Sequence, residues 1–493
     1  MKTAANTSLS GYFDRFRKNI IGIDEVIDTP YGIMPLVYTD WTASGRLYAP
    51  IEQRLTEDFA PFVANTHTKT STCGSIMTTA YEEAREIIKK HVHADNNDVL
   101  IMTGHGMTGA VNKLQRILGL KLHEKYQNKI LIHSDNKPVV FITHMEHHSN
   151  QTSWLETIAD VEIIPHTDEK NIDFEAFEKL IVQYDKRPLK IASVTACSNV
   201  TGFTTDYHRI ADLIHQYKGY CFVDFACSAP YVNIDMHPND QSYLDAVFFS
   251  PHKFLGGPGT SGVLIFNKKL YTNLIPDQPG GGTVVWTNPW KEHRYFDCIE
   301  AREDGGTPGF LQTIKTALAI KLKEKMGVSN ILKREHEILN RLLPALKNIE
   351  GINVLAGQYS DRLGVISFNI ENLHYDLGVK ILNDRFGIQT RGGCSCAGTY
   401  GHLLLGIDQK KSKEIVQKIE SGNWLEKPGW IRLSIHPTTS DQEITYLINS
   451  IKELVVNKEK WAQDYHFVNG TFKHKKRENE NKMKKIVKNF FEL

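Results

Sequence analysis

Short β-rich runs alternate with amphipathic helical stretches through the middle of this chain, and that alternation restricts the fold more than any other feature. Residues 99–103, 138–143, 161–165, 190–195, 220–224, 246–249 and 262–266 read as strands. Residues 109–122, about 151–158, 174–184 and 207–217 read as helices, the first with Val111, Leu114, Ile117 and Leu118 on one face. Strands regularly separated by helices imply an α/β fold with a mostly parallel sheet covered on both faces. Ligands of such sheets bind outside the carboxyl ends of the strands. Gly280-Gly-Gly282 and Gly305-Gly306 precede helical patterns over 310–325 and 328–347, and strands near 365–369 and 430–435 point to a smaller α+β unit. From Gly470 onward Lys, Glu and Asn predominate, which predicts a mobile tail or a frayed helix.

A chain of 493 residues can bury a large core and hold two or three structural units. Its 41% hydrophobic and 23% charged residues are those of an ordinary soluble protein. A net charge of +1 argues against nucleic acid or an anionic membrane as the principal partner. No apolar run reaches the roughly 18 residues needed to span a bilayer, and the polar first 19 residues lack the apolar stretch of a secretory signal. Seven cysteines, odd in number and scattered through apolar segments, fit reduced thiols rather than a disulfide framework. A cytoplasmic enzyme is the expected class.

Lys253 closes Ser250-Pro-His-Lys253, directly after the run 246–249 and before Gly256-Gly-Pro-Gly259. The strand should deliver it to a sheet edge, where glycines let backbone approach a ligand closely. A desolvated, crowded lysine loses its proton readily and can form a Schiff base with an aldehyde. Ser250 and His252 beside it can bind a phosphate, and the combination points to pyridoxal phosphate (PLP); a solvated loop lysine is the plainer alternative. Gly104-His-Gly-Met-Thr-Gly109 follows a strand and opens a helix, as a dinucleotide fingerprint does. The acidic residue that fingerprint needs at the end of the next strand is missing, since that strand ends in Thr143-His144 and Glu146 lies too far along. A phosphate on a helix N-terminus satisfies the same glycines, so Gly106, Met107 and Thr108 are read as a phosphate cup. In Glu146-His147-His148, His147 can stack on a planar cofactor and later move protons. A surface histidine pair is one alternative, and a metal held by His144 and His147 is another, though no Cys or carboxylate set completes it. Asp224 ends its strand and either pairs with a pyridinium nitrogen or caps a helix. Asn199, at the corresponding edge, is placed to bond the cofactor's phenolic oxygen or a substrate carboxylate.

Together these residues resemble the class V aminotransferase family of fold type I PLP-dependent enzymes, in particular cysteine desulfurases and selenocysteine lyases. The likeness runs over about 37–448 and rests on Glu146-His147-His148, Ser198-Asn199, Asp224, Ser250-Pro-His-Lys253, Gly305-Gly-Thr-Pro308 and Arg391-Gly-Gly-Cys-Ser-Cys-Ala397. It implies a large PLP-binding domain (37–309), a smaller α+β C-terminal domain (310–466), an N-terminal segment (1–36) packed with the latter and a mobile charged tail (467–493). It implies that Lys253 carries the Schiff base, His147 stacks on the ring and Asp224 pairs with its nitrogen. Ser250, His252 and Thr108 would hold the phosphate, with Thr307 contributed by the neighbouring subunit of a homodimer. Cys396 matches a cysteine on a mobile loop that takes sulfur from bound cysteine (or selenium from selenocysteine) as a persulfide and leaves alanine. Arg391 beside it would favour the thiolate. Arg432 matches an arginine that pairs with the substrate carboxylate. Cys394, two residues off on an extended segment, would point the same way as Cys396 and either receives the sulfur or is a spectator. A sulfur-acceptor protein is the implied partner, with no nucleic acid and no membrane.

The pattern departs from the family in four places. Cys227 stands where the family has a glutamine, Gly109 replaces an acidic residue, Asp40-Trp-Thr-Ala-Ser-Gly45 replaces a pocket-lining segment, and a longer insertion separates Cys396 from Arg432. Two other readings stay open: a PLP-dependent aminotransferase, epimerase or lyase in which Cys396 is no nucleophile, and a sulfur-carrier docking protein with a vestigial cofactor site.

Overall fold

The structure, a computed structural model, describes residues 8–127, 129–130, 132–476 and 480–492. Residues 1–7 of the expected N-terminal segment, and 477–479 and 493 of the expected tail, lie outside the described residues. Seven strands form the main sheet: β1 (Asp98–Thr103), β2 (Val139–Ile142), β3 (Asp160–Ile163), β4 (Lys190–Thr195), β5 (Tyr220–Asp224), β6 (Ala246–Phe249) and β7 (Gly262–Asn267). Their order is β1-β7-β6-β5-β4-β2-β3. The run from β6 to β3 is parallel throughout. β7 runs antiparallel to both β1 and β6, so the sheet is mixed.

Both faces are covered, which is why the central strands read as unbroken apolar runs rather than alternating ones. In β5, Cys221 and Val223 pack against Ile210, Ala211 and Ile214 of the helix Tyr207–Gln216. Phe222 points the other way and stacks on Trp154 with ring centroids 6.3 Å apart. The helix after β1 spans Gly106–Ile117 and so begins before residue 109, where the hydrophobic period starts. Gly104 and Gly106 adopt positive φ (51° and 59°), which turns the chain into the helix as soon as the strand ends. Because β1 lies at the sheet edge and pairs only with the antiparallel β7, its glycine loop is not at the crevice between parallel strands that a dinucleotide site requires.

The smaller sheet, in order β8-β9-β11-β10, is antiparallel and comprises β8 (Ile352–Val354), β9 (Val365–Ile370), β10 (Arg391–Gly393) and β11 (Trp430–Ser434). Ile366, Phe368, Ile431 and Leu433 share a core with Ile338, Leu342 and Leu346 of the helix Val328–Lys347. Ile444, Leu447, Ile451 and Leu454 of the helix Asp441–Ala462 complete it, at the three- and four-residue spacing of one helical face. That last helix starts in a capping box: the Ser440 hydroxyl accepts from the Glu443 N–H while the Glu443 carboxylate accepts from the Ser440 N–H. The same carboxylate takes both N–H groups of Arg17 (2.6 and 2.9 Å), which fastens the helix Leu9–Arg17 to this unit.

The chain beyond residue 467 differs from the mobile tail expected of it. β12 (Tyr465–Val468) and β13 (Thr471–His474) form a hairpin. His474 is buried, with its ring edge-on to Tyr31 and to Tyr465, each at 5.2 Å. The aromatic and β-branched residues of the hairpin outweigh the surrounding lysines. Beyond it lies a basic helix, Glu480–Asn489, exposed from Met483 onward.

Glu335, on the helix Val328–Lys347, is buried, and its carboxylate oxygens have no hydrogen-bond partner within the described chain. Burial lifts its carboxyl from 4.5 to about 8, against a smaller pull from the Gly364 backbone. The unfolded chain gives up this proton near 4.5 while the folded chain keeps it, so stability falls as pH rises from there to about 8. Glu335→Gln should raise the calorimetric unfolding midpoint by several degrees at pH 9 and scarcely at pH 4. A gain independent of pH would contradict this assignment.

Candidate active site

Three adjacent parallel strands end level with one another: Thr195 of β4 is paired with Asp224 of β5, and Asp224 with Phe248 of β6. Asp224 at its strand end, and Asn199 and Lys253 just beyond theirs, line one cavity at the carboxyl edge. Lys253 sits on the single turn Pro251–Lys253. The turn is clamped from both sides: Gly45 N–H donates to the His252 carbonyl (2.9 Å), and Gly256 N–H donates to the Arg46 carbonyl (2.7 Å). A side chain at Gly257 would put its Cβ 1.9 Å from the Pro251 carbonyl oxygen, so only glycine allows this approach. Burial lowers the Lys253 pKa, and Arg432 adds to the effect while Cys227 and Asp224 oppose it. The result is an amine more easily deprotonated than a surface lysine.

Asp224 is buried, with one carboxylate oxygen accepting from the Ala226 N–H (2.8 Å). Burial raises its pKa to about 6, against the pull of that hydrogen bond and of Lys253, so a cationic partner would stabilise its ionised form. His147 lines the cavity with its Nδ1 accepting from the Ser149 N–H (3.1 Å), which leaves the ring proton on Nε2. Burial and then Lys253 lower its pKa to about 3, so the ring is neutral. The neighbouring Glu146 does not face the cavity. Its carboxylate accepts from Thr143, from the Thr195 N–H and from Asn150 (2.6 to 3.2 Å), and so ties the end of β2 to the end of β4.

On the opposite wall, the Gly106 backbone packs so close to the lysine loop that a Cβ there would lie 2.8 Å from Ser250 Oγ and 3.0 Å from His252 Cε1. Met107 N–H donates to Ser250 Oγ (2.8 Å), and the Thr108 and Ser149 hydroxyls bond each other (2.7 Å). Burial and Lys253 lower the His252 pKa to about 4, which leaves a neutral imidazole that can still donate one N–H. These groups converge at a helix N-terminus, where N–H groups and the helix dipole favour a phosphate.

Arg391 and Arg432 reach the cavity from the smaller sheet, and Asp40 takes both. Arg432 donates to Asp40 Oδ1 (2.7 Å) and to the Asn199 carbonyl (3.1 Å), while Arg391 pairs with Asp40 Oδ2 (2.9 Å). Two polar atoms remain uncommitted within the described chain, Arg432 Nε and Asn199 Oδ1, both buried without a hydrogen-bond partner. Buried polar atoms of this kind are costly unless a ligand satisfies them.

Cys396 lines the same cavity and is exposed. Its loop is pinned rather than free: Asn199 Nδ2 donates to the Ser395 carbonyl (2.7 Å), Trp430 to Ser395 Oγ (3.1 Å), and His148 N–H to the Cys396 carbonyl (2.7 Å). Gly398 N–H donates in turn to His148 Nε2 (2.9 Å). Ser395 and Cys396 both hold positive φ (51° and 56°), a left-handed conformation that costs about 1–2 kcal/mol per non-glycine residue. The segment is therefore not extended, and Cys394 does not share the direction of Cys396. It packs instead with Met145, Val200, Tyr400 and Trp430. His144 likewise turns from the cavity, its ring tilted against His166 with centroids 4.3 Å apart and bonded to the Glu169 carbonyl, so it forms no metal site with His147. Thr307 is exposed and outside this cavity.

Thr42 and Ala43, in the segment expected to line the pocket, do line it, whereas sequence reasoning missed His105, Ser149 and Cys197 as lining residues. His105 precedes one helix, Ser149 lies in the first turn of another and Cys197 follows β4, and only the tertiary fold brings them to one cavity. It also missed His148 as the residue that positions the Cys396 loop, although it adjoins His147. Cys227, the unusual replacement, lies in the floor beside Cys197, and both thiols hydrogen-bond to the Ser198 carbonyl.

A lysine on a pinned turn, a buried aspartate level with it, a neutral histidine and a phosphate-ready helix start all fit PLP, and they define a PLP-dependent site of fold type I. The aminotransferase class-V family model matches residues 37–447, and the chain belongs to that family. A probable cysteine desulfurase of Halalkalibacterium halodurans is 31% identical over 381 residues, covering 76% of this chain and 86% of that protein. A probable cysteine desulfurase of Staphylococcus aureus strain N315 is 28% identical over 433 residues, covering 87% and 94%. Among solved structures, the apo cysteine desulfurase of Thermococcus onnurineus NA1 superposes with a TM-score of 0.70 at 24% identity, over 90% of this chain and 98% of that one. A cysteine desulfurase of Escherichia coli gives 0.70 at 20% identity with the same coverage, and both show the shared fold. Members of the family work with PLP, which is the cofactor of this enzyme.

Borohydride reduction of the PLP-loaded protein should add the mass of the reduced cofactor to the peptide holding Lys253 and to no other. Iodoacetamide should alkylate Cys396 at least about tenfold faster than the buried Cys197 and Cys227. Label on a different lysine, or equal rates at the three thiols, would contradict the geometry described.

Proposed function

We propose that the protein is a PLP-dependent cysteine desulfurase-like enzyme, which removes sulfur from L-cysteine and leaves alanine. The observation that carries this reading is an exposed Cys396 thiol on the wall of the cavity whose floor holds Lys253. The names of its curated relatives point the same way.

In this reading the substrate carboxylate meets Arg432, whose Nε has no hydrogen-bond partner among the described residues, and its arrival redistributes the Asp40 pairing. When bound, PLP supplies an electron sink conjugated with the substrate amine. Asp224 would keep the ring nitrogen protonated, His147 would support the ring, and Ser250, His252, Thr108 and the Gly106–Met107 backbone would hold the phosphate. Lys253 Nζ, its proton affinity reduced by burial, takes the proton from the substrate Cα. The Cys396 thiolate, with Arg391 nearby, attacks the substrate sulfur. A sulfur–sulfur bond forms as the carbon–sulfur bond breaks, and the carbon side keeps the bonding pair and takes up a proton to leave as alanine. The persulfide on Cys396 then passes to an acceptor protein.

We further infer that the site is shared between a large domain (37–309), which supplies Lys253 and Asp224, and a small domain (310–466), which supplies Cys396 and Arg432. The exposed Thr307 would reach the phosphate of a second subunit in a homodimer.

Incubation with L-cysteine should yield alanine and a peptide containing Cys396 that is heavier by one sulfur. Cys396→Ser should keep the cofactor absorbance and lose desulfuration by about 10³-fold or more. Alanine formed at the original rate by that variant would instead mark a PLP lyase in which Cys396 is not the nucleophile. A response to selenocysteine alone would reassign the substrate.

A further inference from the structure

The C-terminal helix Glu480–Asn489 and the turn after it point to a function that the cavity does not involve. Met483, Ile486, Val487, Phe490 and Phe491 recur at three- and four-residue spacing and fall on one face. Hydrogen bonds from Phe490 N–H to the Val487 carbonyl and from Phe491 N–H to the Lys488 carbonyl carry the helical winding through both phenylalanines. Every residue from 483 to 492 is exposed, with Phe490 at 76% and Phe491 at 82%. The rest of the described helix surface is basic, with Lys484, Lys485 and Lys488 around the apolar stripe. Between residues 473 and 488 eight Lys and Arg face two Glu, whereas the whole chain carries a net charge of only +1. The near-neutral total that argues against a membrane partner thus averages over a strongly polarised end.

A helix of 10 residues is marginal in water without a surface to receive its apolar face. A second copy of the same helix would bring lysine against lysine. An apolar stripe ending in aromatic side chains and bordered by lysines complements a surface that is negative outside and apolar just beneath. We propose that this segment docks the enzyme, peripherally and reversibly, on an anionic lipid bilayer surface. The apolar stripe enters the interface while the lysines contact the headgroups.

The test uses full-length holoenzyme in flotation with vesicles of equimolar phosphatidylglycerol and phosphatidylcholine, against vesicles of phosphatidylcholine alone. Binding should be confined to the anionic vesicles and weaken at high salt. Replacing Lys484, Lys485 and Lys488 together by Glu should lower it at least about tenfold, with catalytic turnover and unfolding midpoint unchanged. Replacing Phe490 and Phe491 by Ser, which leaves the charge intact, should weaken it as well. Equal flotation with both vesicle types, or binding indifferent to both sets of substitutions, overturns the proposal. So does an absence of binding accompanied by self-association or by capture of an acidic protein that depends on Phe490 and Phe491.

Discussion

Parallel pairing of β4, β5 and β6 sets where everything at the active site lies. Hydrogen-bond register holds the ends of these strands level, so the residues that follow them leave the sheet side by side. Asn199, Asp224 and Lys253 come from segments well separated in the chain and reach one cavity for that reason alone. A slip of one residue in any strand would turn its terminal side chains to the other face of the sheet. The unbroken apolar character of the three strands, buried on both faces, holds that register in place.

Around this fixed floor, the remaining walls depend on contacts between distant segments. Asp40 joins Arg391 and Arg432, and thereby binds the segment around residues 40–45 to the smaller sheet. Asn199 does two jobs: its carbonyl meets Arg432 and its amide nitrogen pins Ser395. The left-handed backbone at Ser395 and Cys396 persists because Trp430, Asn199 and His148 over-determine it. Local strain at Cys396 is thus held by Trp430 of the smaller sheet and by Asn199 and His148 beyond the strand ends of the main sheet, and the thiol is directed to the cavity while Cys394 is directed into an apolar cluster.

The buried ionisable groups separate by role. Glu146 has four hydrogen bonds and joins strand ends, Asp224 keeps one protein partner and faces the cavity, and Glu335, with only the weaker pull of the Gly364 backbone to offset its burial, stays protonated near neutral pH. Burial raises the pKa of each, so the shift alone does not mark function; the direction in which the group faces does. The exposed basic helix at the C-terminus stands apart from this economy, since none of its described side chains takes part in the core.

The sequence alone determined the strand–helix alternation, because burial on both faces and helical periodicity leave direct marks on residue type. The same is true of the lysine turn, where close backbone approach demands glycine, and of the family to which the chain belongs. It misjudged the residues just past 467, where a short aromatic hairpin is outweighed in composition by its charged neighbours. The antiparallel insertion of β7, the divergence of Cys394 from Cys396 and the capture of both arginines by Asp40 were settled only by tertiary structure. Each depends on contacts between residues far apart in the chain, or on a backbone conformation imposed by them, and no local pattern encodes such contacts.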